Sequence, residues 1–105
     1  MPSPRETAAF VREVRRFAIR TPEVAEAIRY FTLPDERHDL TLVAERVYGD
    51  RGEYLTIWAA AGLDTVEQPL AEQRLVLPTP RLLIAIKRQT GYLTDAETRT
   101  FDALR

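Results

Sequence analysis

Apolar residues recur at helical spacing near the start of the chain. Phe10, Val14, Phe17 and Ala18 share one side, with Val11 alongside, and Arg5, Arg12, Arg16 and Arg20 fall on another. Ser3-Pro4-Arg5-Glu6 supplies the start: a capping serine, a proline suited to the first helical position, and a carboxylate placed for a capping box. Thr21-Pro22 ends the helix, because the residue before a proline is pushed out of the α region. Residues 24–28 are compatible with continued helix. Residues 27–33 end in Arg29-Tyr30-Phe31-Thr32-Leu33, rich in strand formers and stopped by Pro34, and are read as a strand. A polar turn, Pro34 to His38, follows.

Asp39 is placed as the cap of a short helix whose stripe is Leu40, Val43, Ala44 and Val47, with Gly49 as its left-handed stop. A second short helix is expected from about Glu53, with Tyr54, Ile57, Trp58 and Ala61 on its inner face and Gly62 at its end. A loop holding Pro69 leads to a strand at 73–77, stopped by Pro78. Thr79-Pro80 starts a further helix through Leu82, Leu83 and Ile86 to Lys87-Arg88, where the basic pair suits the helix dipole, and Gly91 ends it. Thr94-Asp95-Ala96-Glu97 is a second capping box and predicts a last helix running to Leu104.

Composition narrows the function classes. A chain of 105 residues, 45% hydrophobic and 30% charged, is an ordinary globular domain with room for one modest core. A formal net charge of −1 supplies no global attraction to nucleic acid or to an anionic membrane, so neither is expected as a partner. With no cysteine, disulfides and thiolate metal sites are excluded. The first residues lack the apolar core of a signal peptide, and no apolar run reaches the length of a membrane span. The expected location is the cytoplasm, or a particle assembled there. Every basic residue except Lys87 is arginine, which suits charges that meet carboxylates across interfaces.

The middle of the chain thus reads strand, helix, helix, strand, and over residues 27–78 it resembles a LysM domain. The matching residues are Leu40, Val43-Ala44, Tyr48-Gly49-Asp50, Tyr54, Ile57, the small pair Ala60-Ala61, Leu70, and Leu75-Val76-Leu77-Pro78. The resemblance implies an α+β fold: a β-α-α-β core, here with an N-terminal helix and a C-terminal helical hairpin. It divides the chain into an N-terminal helical arm (1–22), a LysM-like domain (23–79) and a C-terminal extension (80–105).

In glycan-binding members of the family, the loops after the first strand and after the second helix form the sugar groove. Here those loops carry His38, Asp39, Gly62, Leu63 and Asp64 as the candidate contacts. They depart from the family pattern, with Arg37-His38-Asp39 in place of Gly-Asp-Thr and Ala61-Gly62 where an asparagine is usual. The polar run Asp35-Glu36-Arg37-His38-Asp39-Leu40 is more similar to the LysM-like domains of phage tail and baseplate proteins, the wedge proteins of contractile-tailed phages among them. That resemblance implies a structural adaptor of a virion, present in several copies beside other tail proteins, with peptidoglycan binding as the alternative.

No catalytic constellation is legible. His38 lacks a companion nucleophile, and it reads most simply as a solvated turn residue. Glu36, His38 and Asp39 are too few and too exposed in expectation to hold a metal, and the Asp50 to Glu53 loop lacks the alternating oxygens of a calcium site. The chain is therefore expected to be non-enzymatic and free of cofactors. Tyr48 and Trp58 are expected in the core. The stripes at either end are expected to be covered by neighbouring subunits, with Phe10, Arg12, Arg16, Phe17, Leu83, Ile86 and Arg88 as the candidate protein contacts.

Overall fold

A computed structural model describes residues 2–65 and 67–93. The expected last helix, with its capping box at Thr94 to Glu97 and its apolar Phe101 and Leu104, lies outside the described residues. Among the described residues, six regular elements follow in chain order: α1 (Pro4–Arg20), β1 (Ile28–Phe31), α2 (Leu40–Tyr48), α3 (Tyr54–Ala60), β2 (Arg74–Leu77) and α4 (Pro80–Thr90). The class is α+β, as the spacing predicts.

Local signals fix most boundaries. The Ser3 hydroxyl accepts from the Glu6 N–H at 3.2 Å, and the Glu6 carboxylate accepts from the Ser3 N–H at 2.8 Å, closing the capping box of α1. Thr21, extended before Pro22, ends that helix. The Asp39 carboxylate accepts from the N–H groups of Thr41 and Leu42 and starts α2. Gly49 stops α2 at φ 72°, a conformation that costs a side-chain-bearing residue about 1 kcal/mol or more. Thr79 caps α4 through the N–H of Leu82.

The two strands pair antiparallel, Ile28 opposite Leu77 and Tyr30 opposite Leu75, with α2 and α3 on the connection between them. Ile28, Tyr30, Leu75 and Leu77 alternate onto the face that meets the helix pair. A first cluster forms there from Val43, Ala44, Ile57, Leu70, Leu75 and Leu77. This β-α-α-β centre has the element order expected from the sequence.

A second cluster joins the ends of the chain to that centre. Phe10 and Val14 of α1, Ala59 of α3 and Leu83 of α4 are buried together, with Trp58, Leu55 and Ile86 packed on them. The Phe10 ring stacks on Tyr92, just beyond α4, at a centroid distance of 4.3 Å. Tyr48 and Ala60 touch both clusters. The divisions at 22 and 80 therefore separate segments of one packed body: α1 and α4 lie on the centre and are not free arms.

The inner face of α3 differs from the expected one. Thr56, Ile57 and Ala59 are buried, whereas Tyr54 is 48% exposed. A 3-10 turn over Arg51–Glu53, set by the Asp50 carboxylate accepting from the Gly52 N–H, precedes the helix. It delays the α-helix to Tyr54. With the sheet on one side of α3 and α1 on another, Tyr54 and Trp58, one turn apart, share the remaining side.

Candidate functional site

The loop after β1 is closed by a buried carboxylate. Glu36 has no exposed surface and accepts from the Tyr30 hydroxyl at 2.5 Å, the Leu33 N–H at 2.5 Å and the Arg46 guanidinium at 2.9 Å. Burial beside this carboxylate pushes the Tyr30 hydroxyl pKa up. Arg46 also grips Asp35, and the hydrogen bond from Arg46 holds that carboxyl below its ordinary range. A second tie joins this loop to the one before β2: the Leu70 N–H donates to the Arg37 carbonyl at 2.8 Å. Between the two loops remains a hollow of about 370 Å³ lined by Pro34, Arg37, Pro69, Leu70, Ala71 and Glu72, with no aromatic side chain.

A larger concavity lies elsewhere. It is an open groove of about 1080 Å³, walled on one side by the first half of α1 and on the other by the start of α2 and of α3. Val11, Leu40, Leu55, Tyr54 and Trp58 give it an apolar and aromatic surface. Arg15 lies over the Trp58 ring at 4.7 Å, and its guanidinium donates to the carbonyls of Ala59 and Leu63. The indole N–H of Trp58 donates in turn to the Thr65 carbonyl at 3.2 Å. The half-buried tryptophan is thus clamped in place with one part of its ring system turned to the groove.

The candidate residues divide among several places. Phe10 and Leu83, expected to face partners, are instead buried in the second cluster, because each stripe finds its cover within this chain. Arg16, Phe17 and Ile86 meet around a separate hollow of about 530 Å³ between α1 and α4. Arg12 lines the large groove, and Arg88 is exposed on α4. Of the loop residues, His38 and Asp39 line the large groove, and the hydrogen bond from Thr41 holds the Asp39 carboxyl low. Leu63, expected as a loop contact, is buried, and its N–H donates to the Trp58 carbonyl at the end of α3. Gly62 and Asp64 are exposed but do not line the hollow between the loops.

Arg15 and Tyr54 belong to the groove and were not among the candidates. The signal for Arg15 was its spacing of four from Val11, which sets it beside the apolar stripe instead of on the outer arginine row. Among the described residues, no group of three His, Asp or Glu side chains is placed to hold a metal ion, and no helix is long and apolar enough to cross a membrane. Compared with protein-family models, with curated proteins and with solved structures, the chain gave no match.

Proposed function

We propose that this chain is a non-enzymatic docking module of a phage or phage-like tail or baseplate, built on a LysM-like centre and held between other structural proteins. The observation that supports docking over glycan reading is where the polar groups of the two loops go. A sugar site needs free donors and acceptors, usually with an aromatic platform. Here the Glu36 carboxylate, the Leu33 and Leu70 N–H groups and the Arg37 carbonyl are engaged within the chain. The half-exposed Tyr54 and the exposed Arg12 instead line the α1 groove, on surface that α1 adds to the centre. The tail setting comes from the sequence resemblance, and the β-α-α-β order agrees with it.

The test is made in the cells that produce the protein. An epitope-tagged full chain should co-sediment with assembled tail particles on a density gradient and remain with them through a second purification. Cells lacking the chain should accumulate incomplete particles. A chain that stays at the top of the gradient, yet is retained on insoluble peptidoglycan in a pulldown, would replace this reading with the glycan-binding one.

A further inference from the structure

We infer that the groove between α1 and the α2–α3 pair is a receptor for a short acidic amphipathic helix of a partner protein. The inference deepens the docking reading and rests on it for the biological setting. The binding chemistry is carried by the groove itself.

Three observations point to this occupant. The first is shape. The wall formed by α1 runs from Pro4 to Arg15, about 16 Å at 1.5 Å per residue, which matches a guest helix of three turns. The second is the surface. Tyr54 is 48% exposed and lines the groove with Trp58 and Leu55, so a guest side chain would find aromatic surface already in position. Trp58 pays little entropy on binding, being clamped by Arg15 and Thr65.

The third observation is charge. Arg15 has its hydrogen bonds satisfied by two neutral carbonyls, so its position is fixed while its charge stays uncompensated. Arg12, one turn or less away on the same wall, is exposed. Among the described residues neither guanidinium is ion-paired with a carboxylate, in contrast to Arg46, Arg51, Arg74 and Arg81, which all are. Asp39, the acidic group of the groove, has its carboxylate occupied by the start of α2 and by Arg51 at 3.8 Å. The groove therefore presents a net cationic wall over an apolar floor. Its complement is a helix with apolar residues at i and i+3 or i+4 and carboxylates along one flank.

The experiment pans a displayed library of random 16-residue peptides against the immobilised full chain. The expected result is enrichment of peptides with that apolar spacing and a net negative charge. Binding of the selected peptides should weaken tenfold or more with Tyr54→Ala or Arg12→Glu, and should be unchanged with Arg81→Glu, outside the groove. Tyr54 and Arg12 are exposed, so both variants should fold, and thermal unfolding checks this. No enrichment, selection of neutral or basic peptides, or binding indifferent to both groove variants would each overturn the inference. So would a dimer that Tyr54→Ala dissolves, since the groove would then belong to a second copy.

Particle incorporation separates this inference from the docking reading. A Tyr54→Ala, Arg12→Glu chain that still enters particles normally would refute the groove and leave the docking role standing. A wild-type chain absent from particles but selecting acidic helices would do the reverse.

Discussion

Replacing Phe10 by alanine tests whether α1 is part of the core or an arm for a partner. Phe10 is fully buried, between Ala59 and Leu83, with its ring stacked on Tyr92 at an interplanar angle of 15°. Truncating a buried phenylalanine costs about 3–5 kcal/mol, the removed contacts and the cavity together. The lost ring pair accounts for about 0.5–1.5 kcal/mol of that. A domain of this size holds about 5–15 kcal/mol in all, so the variant should lose a large share of its stability. Phe10→Leu keeps most of the volume and gives up the stacking, so about 1–1.5 kcal/mol is expected. The assay is urea unfolding of the full chain followed by fluorescence of Trp58, the sole tryptophan and a member of the same cluster. The Phe10→Ala midpoint should fall steeply with the slope of the transition unchanged. A loss below about 1 kcal/mol would show that α1 is detachable, and would restore the arm expected from the sequence.

The buried carboxylate gives a sharper contrast. Glu36→Ala should cost about 3–5 kcal/mol, because it strands the Tyr30 hydroxyl and the Leu33 N–H, whereas Asp35→Ala, on the exposed arm of the same arginine, should barely move the midpoint in the same urea assay. Equal losses would mean that Glu36 is not the closing group. Acid should destabilise the fold: the carboxyls of Glu6, Glu23, Glu26, Asp35 and Asp39 are all held below their ordinary values of 3.8–4.5 by hydrogen bonds they accept from Ser3, Arg74, Thr79, Arg81, Arg46 and Thr41. Their contribution is complete above the unfolded values and fades as pH drops through the lowered folded ones, so the melting temperature should be flat from pH 6 to 8 and fall below about pH 4. A melting temperature that rises on acidification would reverse the sign and refute this account. Gly91→Ala should cost about 1–2 kcal/mol by thermal unfolding, since φ is 76° there and an added Cβ would stand 2.5 Å from the Glu6 carboxylate that closes the α1 cap. A neutral outcome would show that Glu6 moves aside freely.

What the sequence made legible was local. The caps at Ser3, Asp39 and Thr79 and the stop at Gly49 each depend on a side chain and a backbone group within four residues, so their types and spacing suffice. The strand pairing followed from two runs of strand formers bounded by prolines. What stayed hidden depends on contacts between distant residues. A stripe such as Phe10 and Val14 announces that it will be covered, not by what, and its cover includes Leu83 and Tyr92 from the other end of the chain. Glu36 stands in a Pro-Asp-Glu-Arg run that reads as solvated turn, and only the folded chain brings Tyr30 and Arg46 onto it. The exposed side of α3 depended on what packs against it: the sheet cluster takes Ile57 and the α1 cluster takes Ala59, which leaves Tyr54 half-exposed. The groove was invisible for the same reason, being formed by three elements from separate parts of the sequence.

The groove follows from a mismatch in length. α1 has 17 residues and spans about 25 Å, whereas α3, with 7, spans about 10 Å. Ala59 and Ala60 let α1 approach α3 closely, and Phe10 and Val14 anchor it there. Beyond that anchor α3 offers nothing more to cover the first half of α1, and α2 begins too far across to close the gap. The leftover surface is apolar because Val11 and Leu55 flank the anchor on the same side of their helices, and it is aromatic because α3 begins at Tyr54. Substitution at Phe10 should abolish peptide capture only in proportion to unfolding, whereas substitution at Tyr54 should abolish it in a chain that still melts cooperatively. That difference separates loss of the binding surface from loss of the fold.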